Sequence, residues 1–483
     1  MSCSPSPAGE TLEAAAANEL LRRRAARQSL LHFTRYTFPQ YRAEAVHELI
    51  AHALDAVVAG DLRRLMIFAP PQHGKSELVS VRLPAFWLGR RPDDPVILAS
   101  YGADLAEWKS RQVRQIVEGG EFRALFPEIA TRRDSRAVNQ WQIAERRGFL
   151  KAVGVGGPVT GHGALLGVID DPFENWEQAQ SVTHRNRVWE WYRGTFRTRI
   201  WEGGAIILIM TRWHEDDLAG RLLQQDAGLW RVLRLPALAE TPAERDTNNA
   251  KLHLGVGLPD PLGRAPGAAL CPGRFSVAAL AALKTDVGSL VWSAEYQGAP
   301  TLPEGGMFKR AWLPIVDAAP AAGKTVRYWD KAATSGGGDF SVGAKLRRGE
   351  DGGYYVLDVA RGQWSAGERN RVMAQTAALD GPECEIWVEQ EPGSGGRESA
   401  EDSLRLLAGY TVHREPVTGE KSVRAMPLAA QAEAGNVHLV RGAWNGPFIE
   451  ELTAFPTGTN DDQVDAASGA FNKLAGRRSM RPL

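Results

Sequence analysis

Leu65-Met-Ile-Phe-Ala-Pro-Pro-Gln-His-Gly-Lys-Ser76 opens on an apolar run and passes through a turn-rich loop into the helical pattern of Ser76–Leu88. A strand–loop–helix of this kind holds phosphate, because the loop amides and the helix N-terminus point donors at its oxygens. Lys75 adds a point charge beside the β/γ-phosphates, and the Ser76 hydroxyl reaches Mg²⁺. Gln72, His73 and Gly74 complete the loop, whose first glycine is replaced by Ala69. The expected ligand is ATP with Mg²⁺.

Two further strand ends belong beside that loop. Leu165-Leu-Gly-Val-Ile-Asp-Asp171 is an apolar strand ending in two carboxylates. Asp170 is expected in the Mg²⁺ shell, and Asp171 is expected to orient or deprotonate the attacking water. Ala205–Met210 leads into Thr211-Arg-Trp-His-Glu-Asp-Asp217. Thr211 then sits at the ligand edge of the sheet. His214 with Glu215, Asp216 and Asp217 reads as a helix start with acidic residues set against the helix dipole, rather than as a metal cluster. Gly154–Gly163 holds five glycines in ten residues and reads as a loop that approaches a ligand or partner closely.

Outward from these motifs, apolar runs alternate with amphipathic stretches, which implies parallel strands with helical crossovers. The expected strands are Leu65–Ala69, Val96–Ser100, Leu165–Asp170 and Ala205–Thr211, with Leu105–Val117 as a further helix. Thr241–Pro272 is rich in Pro, Gly, Asp and Asn and reads as loop. A second alternating block follows, with strands at Thr325–Asp330, Ser341–Leu346, Tyr354–Val359 and Glu385–Glu389. Helices are expected at Ala366–Leu379 and from Asp462 to Leu474. The division that results is a basic helical arm at 1–31, a P-loop domain at 32–235 and a linker or lid at 236–320. A second α/β domain at 321–475 and a basic tail at 476–483 complete it.

The chain has 483 residues and a formal net charge of zero, with 57 basic and 57 acidic side chains. Any nucleic-acid surface is therefore a local patch. Arg22, Arg23, Arg24 and Arg27 form one such cluster on the Thr11–Leu31 helix, either as a solvated face or as a DNA or partner contact. Three cysteines, Cys3, Cys271 and Cys384, are too few and too scattered for a disulfide framework. That usage fits a reducing cytoplasm. No signal peptide and no run of about 18 apolar residues is evident, so no membrane span is expected.

The second block carries separated acids. Asp330 ends Val326-Arg-Tyr-Trp-Asp330, and Glu389 ends Glu385-Ile-Trp-Val-Glu389. Asp461, Asp462 and Asp465 lie in Asn460-Asp-Asp-Gln-Val-Asp-Ala466, where Asp462 and Asp465 share a helix face. Converging on two Mg²⁺ or Mn²⁺ ions, such carboxylates cut phosphodiesters. Spacing leaves open which of Asp461, Asp462 and Asp465 are direct ligands.

The order P-loop, strand–Asp–Asp, strand–Thr, linker, Asp, Glu, Asp-Asp-x-x-Asp resembles the large terminase subunit of tailed bacteriophages, prophages and gene transfer agents. The likeness covers roughly residues 33–474. It implies an α/β fold made of an ASCE-type P-loop ATPase domain and an RNase H-like nuclease domain. It further implies a motor that drives double-stranded DNA into a procapsid, and a nuclease that cuts concatemers with Asp330, Glu389 and Asp462. The implied partners are the portal protein, the small terminase subunit and further copies of the chain in a pentamer-like ring. Phe38-Pro-Gln-Tyr41 with His47 occupies the adenine-proximal place. Relatives commonly carry an Arg in the loop where this chain has Gln72 and His73, so an arginine from outside the loop is expected. Many carry Glu where this chain has Asp171. Lys421 and Arg424 resemble a segment beside the nuclease site and are expected to touch phosphate. The competing readings are a cellular P-loop translocase or repair ATPase with a fused nuclease, and a non-enzymatic scaffold. One P-loop argues against the first, and the intact acids at both sites argue against the second.

Overall fold

The structure, a computed structural model, describes residues 12–159, 161–300, 306–331, 340–390, 394–416, 420–456 and 458–476. Cys3, Thr160, Gly419, Arg477, Arg478 and Arg481 lie outside the described residues. The chain forms two compact units, Met1–Leu280 with Ser293–Thr301, and Ala281–Trp292 with Leu302–Leu483. The polypeptide therefore passes into the second unit after Leu280, returns to the first at Ser293, and leaves again after Thr301.

The first unit is built on eight strands: β1 Arg64–Phe68, β2 Val96–Ser100, β3 Thr131–Ala137, β4 Gln140–Ile143, β5 Phe149–Gly154, β6 Ala164–Asp170, β7 Ile200–Met210 and β8 Arg231–Arg234. Their order is β3-β4-β5-β2-β6-β7-β1-β8. From β5 to β8 in that order every pairing is parallel, while β3 and β4 add an antiparallel edge. The central strands are near-continuous apolar runs because helices cover both faces. Leu65, Ile67, Val168 and Ile207 pack into one core, and Met66, Phe68, Ile169 and Leu208 into the other. β7 separates β1 from β6, so the phosphate loop and the Asp170–Asp171 pair leave the same sheet edge with Thr211 between them.

The second unit carries β9 Ile315–Val316, β10 Gly323–Asp330, β11 Ser341–Gly349, β12 Tyr354–Gly362, β13 Cys384–Gln390, β14 Val412–Pro416 and β15 Val437–Val440. β10, β11 and β12 form an antiparallel meander. β13 and β14 extend the sheet in parallel on the other side of β10. That is the RNase H-like arrangement, with β15 and β9 added beyond β12. The last helix, Asp462–Ala475, packs across β10 and β11. It comes close because Gly469 faces Tyr328, where a Cβ would lie 2.6 Å from the ring.

Two expectations change. The stretch read as loop from Thr241 holds a helix, Pro242–Lys251, opened by a reciprocal Thr241–Glu244 capping box with Pro242 in the first turn. The helical stretch Val277–Tyr296 is long and apolar enough to cross a membrane, with a mean hydropathy of 1.2, where the sequence suggested no such run. It is not one continuous helix. Gly288 breaks it at φ 77°, ψ 166°, and the Ser289 amide turns to the Glu433 carboxylate at 2.8 Å. A bilayer core would demand that every backbone group be satisfied within the segment.

Candidate functional site: a phosphate loop and a carboxylate cluster

In the first unit, the loop after β1 is shaped by two left-handed residues, Gln72 at φ 62° and Gly74 at φ 79°. Gly74 has no room for a side chain, since a Cβ would lie 2.7 Å from His47 Nε2. His47 Nδ1 accepts the Glu44 amide at 2.9 Å, so Nε2 carries the proton and donates to the His73 carbonyl at 3.2 Å. Lys75 Nζ, almost fully buried, donates to Thr211 Oγ1 at 2.7 Å and to the Ala69 carbonyl at 3.3 Å. It also lies 3.7 Å from Asp171 Oδ2.

Asp170 is completely buried. Its Oδ1 accepts from Ser76 Oγ at 3.2 Å, and its Oδ2 accepts from Ser80 Oγ at 2.5 Å and Lys109 Nζ at 2.6 Å. Asp171 has a left-handed backbone at φ 51° and accepts the Thr211 amide at 2.8 Å. Burial raises its carboxyl above the usual range, Lys75 pulls it down and Asp170 pushes it up. The structure thus brings Lys75, Ser76, Asp170, Asp171 and Thr211 together.

Further neighbours complete the site. Lys109 lies on the apolar face of the helix Ala103–Glu118, in line with Ala106, Val113 and Val117. A lysine at that helical spacing is a readable signal. From a later turn, Arg274 Nη1 donates to the Gln72 carbonyl at 3.2 Å. Phe275 stacks on His73 with centroids 4.9 Å apart. Tyr41 OH and His73 Nε2 are buried without a hydrogen-bond partner. Glu295, partly buried, feels both Lys75 and Asp171, and burial pushes its carboxyl up to about 7. Nothing local in the sequence marks Arg274 or Glu295. Asp217 caps the helix Leu218–Asp226 through the Gly220 amide, and Asp216 pairs with Arg185 and Arg221. Asp216 and Asp217 are thus committed to a helix start and to arginines.

In the second unit, Asp330 ends β10, and Glu389 lies one register step beyond the Trp329–Val388 pair on β13. Asp462 Oδ2 accepts the Phe340 amide at 3.2 Å. Burial raises the Asp330 carboxyl well above its usual range, and Glu389, Asp465 and Asp462 add to the rise. Glu389 is pushed up to about 7, first by burial, and its Oε2 is buried without a partner. Lys421 and Arg424 open the helix Lys421–Glu433 and reach into this cluster. Lys421 Nζ lies 2.6 Å from Asp461 Oδ1 and 2.8 Å from Asp465 Oδ2. Arg424 lies 2.6 Å from Asp465 Oδ1 and 3.6 Å from Glu389 Oε1. Among the described residues, no three Asp, Glu, His or Cys side chains are gathered closely enough to hold a metal ion. Asp330, Glu389, Asp462 and Asp465 are electrostatic neighbours, while Asp461 and Asp465 are bound to cations. The residues nonetheless suit hard divalent ions. They are oxygen donors, and Glu389 keeps one buried oxygen unused.

The family model described as terminase large subunit, T4likevirus-type, N-terminal, matches residues 66–315. The terminase RNaseH-like domain model matches residues 327–474. Among solved structures, the large terminase of a thermophilic bacteriophage is 10% identical over 90% of this chain and 100% of its own, with a TM-score of 0.51. The HK97 bacteriophage large terminase is 12% identical over 89% and 95%, with a TM-score of 0.33. The large terminase nuclease from thermophilic phage G20c with bound magnesium is 16% identical over 35% and 97%, with a TM-score of 0.26. No curated protein matches the chain. The first of these structural likenesses bears on the fold alone. The first family model covers more than half of the sequence, the phosphate loop included, and the chain belongs to the terminase large subunits.

Proposed function

We propose that this protein is the motor and nuclease of a viral-type packaging machine. It hydrolyses ATP to drive double-stranded DNA into a procapsid and cuts the concatemer from which that DNA comes. The observation that carries the motor reading is the meeting of three strand ends, in which Lys75 bonds Thr211 and faces Asp171 while Ser76 bonds Asp170. ATP is assigned to Gln72, His73, Gly74, Lys75, Ser76 and Thr211. Mg²⁺ is assigned to Ser76 and Asp170, where it would neutralise phosphate charge. Asp171 is assigned to the attacking water. Arg274 is a cation outside the loop that touches it and answers the lack of an arginine at Gln72 and His73.

For cutting, Asp330, Glu389 and Asp462 are assigned to two Mg²⁺ or Mn²⁺ ions, with Asp461 and Asp465 in support. Bound there, the ions would supply an activated water and stabilise the leaving oxygen. Lys421 and Arg424 hold Asp461, Asp465 and Glu389 in place, and they can exchange those carboxylates for DNA phosphate. Residues 32–235 are read as the motor body and 321–475 as the nuclease. The partners are the portal of the procapsid, the small terminase subunit and further copies of the chain in a ring, in the cytoplasm of a bacterial host.

Full-length Lys75→Ala is expected to lose ATP turnover while keeping Mn²⁺-dependent plasmid cleavage. Asp330→Asn, Glu389→Gln and Asp462→Asn are expected to do the reverse. ATP turnover at the parental rate in Lys75→Ala ends the motor assignment. Cleavage at the parental rate in all three acid variants ends the nuclease assignment.

A further inference from the structure

ATP hydrolysis needs a group to take the proton of the attacking water, and the geometry of Asp171 suits it better to holding than to accepting. Its Oδ1 already accepts the Thr211 amide at 2.8 Å. Its Oδ2 faces Lys75 at 3.7 Å. Its backbone is left-handed at φ 51°, which fixes where the side chain starts. Aspartate is also one methylene shorter than glutamate.

A second carboxylate arrives from the short segment that the chain returns to the first unit. Residues 293–300 are fixed at the loop end of β1 and β8. The Tyr296 carbonyl accepts the Ala237 amide at 2.7 Å, and Arg234 Nη1 donates to the Gln297 carbonyl at 3.0 Å. The Gln297 side chain accepts from the Leu238 amide at 3.1 Å and donates to the Leu238 carbonyl at 3.0 Å. Arg234 is itself buried and paired with Glu240. Gly298, at φ 63°, backs onto Phe68, the last residue of β1, where a Cβ would lie 3.6 Å from the Phe68 Cβ. Glu295 is therefore offered on backbone locked beside the phosphate loop. Burial, Lys75 and Asp171 are what act on its carboxyl, and no hydrogen bond ties it up among the described residues. A structural glutamate so placed would be expected to pair with the lysine it feels. Instead that lysine is bonded to Thr211 and Ala69.

We propose that Glu295 is the proton acceptor of ATP hydrolysis, with Asp171 orienting the water. This deepens the motor reading and rests on it. The water oxygen attacks the γ-phosphorus, and the bond from γ-phosphorus to the β–γ bridging oxygen breaks, its electron pair leaving with ADP. The water proton passes to the Glu295 carboxylate and from there to solvent or phosphate. Burial supports the role, because a carboxyl raised to about 7 is matched to proton transfer at neutral pH.

The test compares full-length Glu295→Gln, Glu295→Ala, Lys75→Ala and parent protein. ATP turnover is measured with and without formate, beside binding of a fluorescent non-hydrolysable ATP analogue. Glu295→Gln should lose about 10²-fold or more in kcat, with KM and analogue binding close to parental. Formate should restore part of the turnover of Glu295→Ala and none of that of Glu295→Gln. Near-parental kcat in Glu295→Gln overturns the assignment. So does a Glu295→Ala protein that loses analogue binding and ignores formate, since that is the behaviour of a packing residue. Turnover surviving in Lys75→Ala is a separate result, and it would overturn the motor reading instead.

Discussion

At the scale of single residues, the phosphate loop is held by charges that must stay paired. Asp170 and Lys109 are both buried and lie 2.6 Å apart. Removing the lysine strands a buried carboxylate, so Lys109→Ala should cost about 3–5 kcal/mol of stability by denaturant unfolding. A loss under about 1 kcal/mol would contradict that. His73 sets a pH limit. Its Nδ1 faces the Pro71 carbonyl at 2.8 Å, and its Nε2 has no partner to receive a proton. Burial lowers the ring from 6.5 to about 4, the Pro71 carbonyl pulls it up, and Lys75, Arg274 and His47 hold it down. The unfolded chain therefore binds the extra proton first. The contribution is fully present above the unfolded value and is lost as pH falls from 6.5 towards about 4. It amounts to about 3 kcal/mol in all. Unfolding curves at pH 7 and 4.5 should differ less for His73→Gln than for the parent. Lys75 was legible in the sequence from the loop that carries it, and Asp170, Asp171 and Thr211 because each sits at or just past the end of an apolar strand. Lys109 was marked only by its place on an apolar helix face, and Arg274 and Glu295 by nothing local, because their approach to the loop is decided by tertiary packing.

Among the elements, the strands that end in functional residues were the readable ones. β1, β2, β6 and β7 are buried on both faces and so appear as apolar runs, as do β10 to β13 in large part. β3 and β4 escaped notice because an edge hairpin with sequence Thr131–Ala137 is mostly polar. β14 and β15 are short and only partly buried. The helix Pro242–Lys251 was hidden by its composition, although Thr241 and Glu244 spell its cap. Lys421 and Arg424, expected beside the nuclease site, begin a helix that the sequence did not mark. The last helix delivers Asp462 and Asp465 to β10 only because Gly469 lets it lie against Tyr328. Gly469→Ala should push that helix away, costing about 1–3 kcal/mol. DNA cutting should fall more than ATP turnover. Equal losses of the two activities would place the damage elsewhere.

For the whole molecule, the order of the units along the chain matters as much as their folds. The second unit claims Ala281–Trp292 before the first is complete, and the first is finished by Ser293–Thr301. A protein stopped after Leu280 keeps every strand of the first sheet but lacks Glu295. It should bind an ATP analogue and fail to turn ATP over, while a protein stopped after Thr301 should do both. Turnover by the shorter protein would show that the returning segment is dispensable. The same crossing decides how such a chain can be recombined. Neither unit is a cassette with one splice point at its border. A nuclease borrowed from a relative at residue 280 would bring its own returning segment and seat a foreign carboxylate beside the host's phosphate loop. Joined at residue 301, it would leave behind the twelve-residue stretch that its own body expects. A working chimaera of this architecture needs two junctions, with the returning segment inherited from the motor's parent.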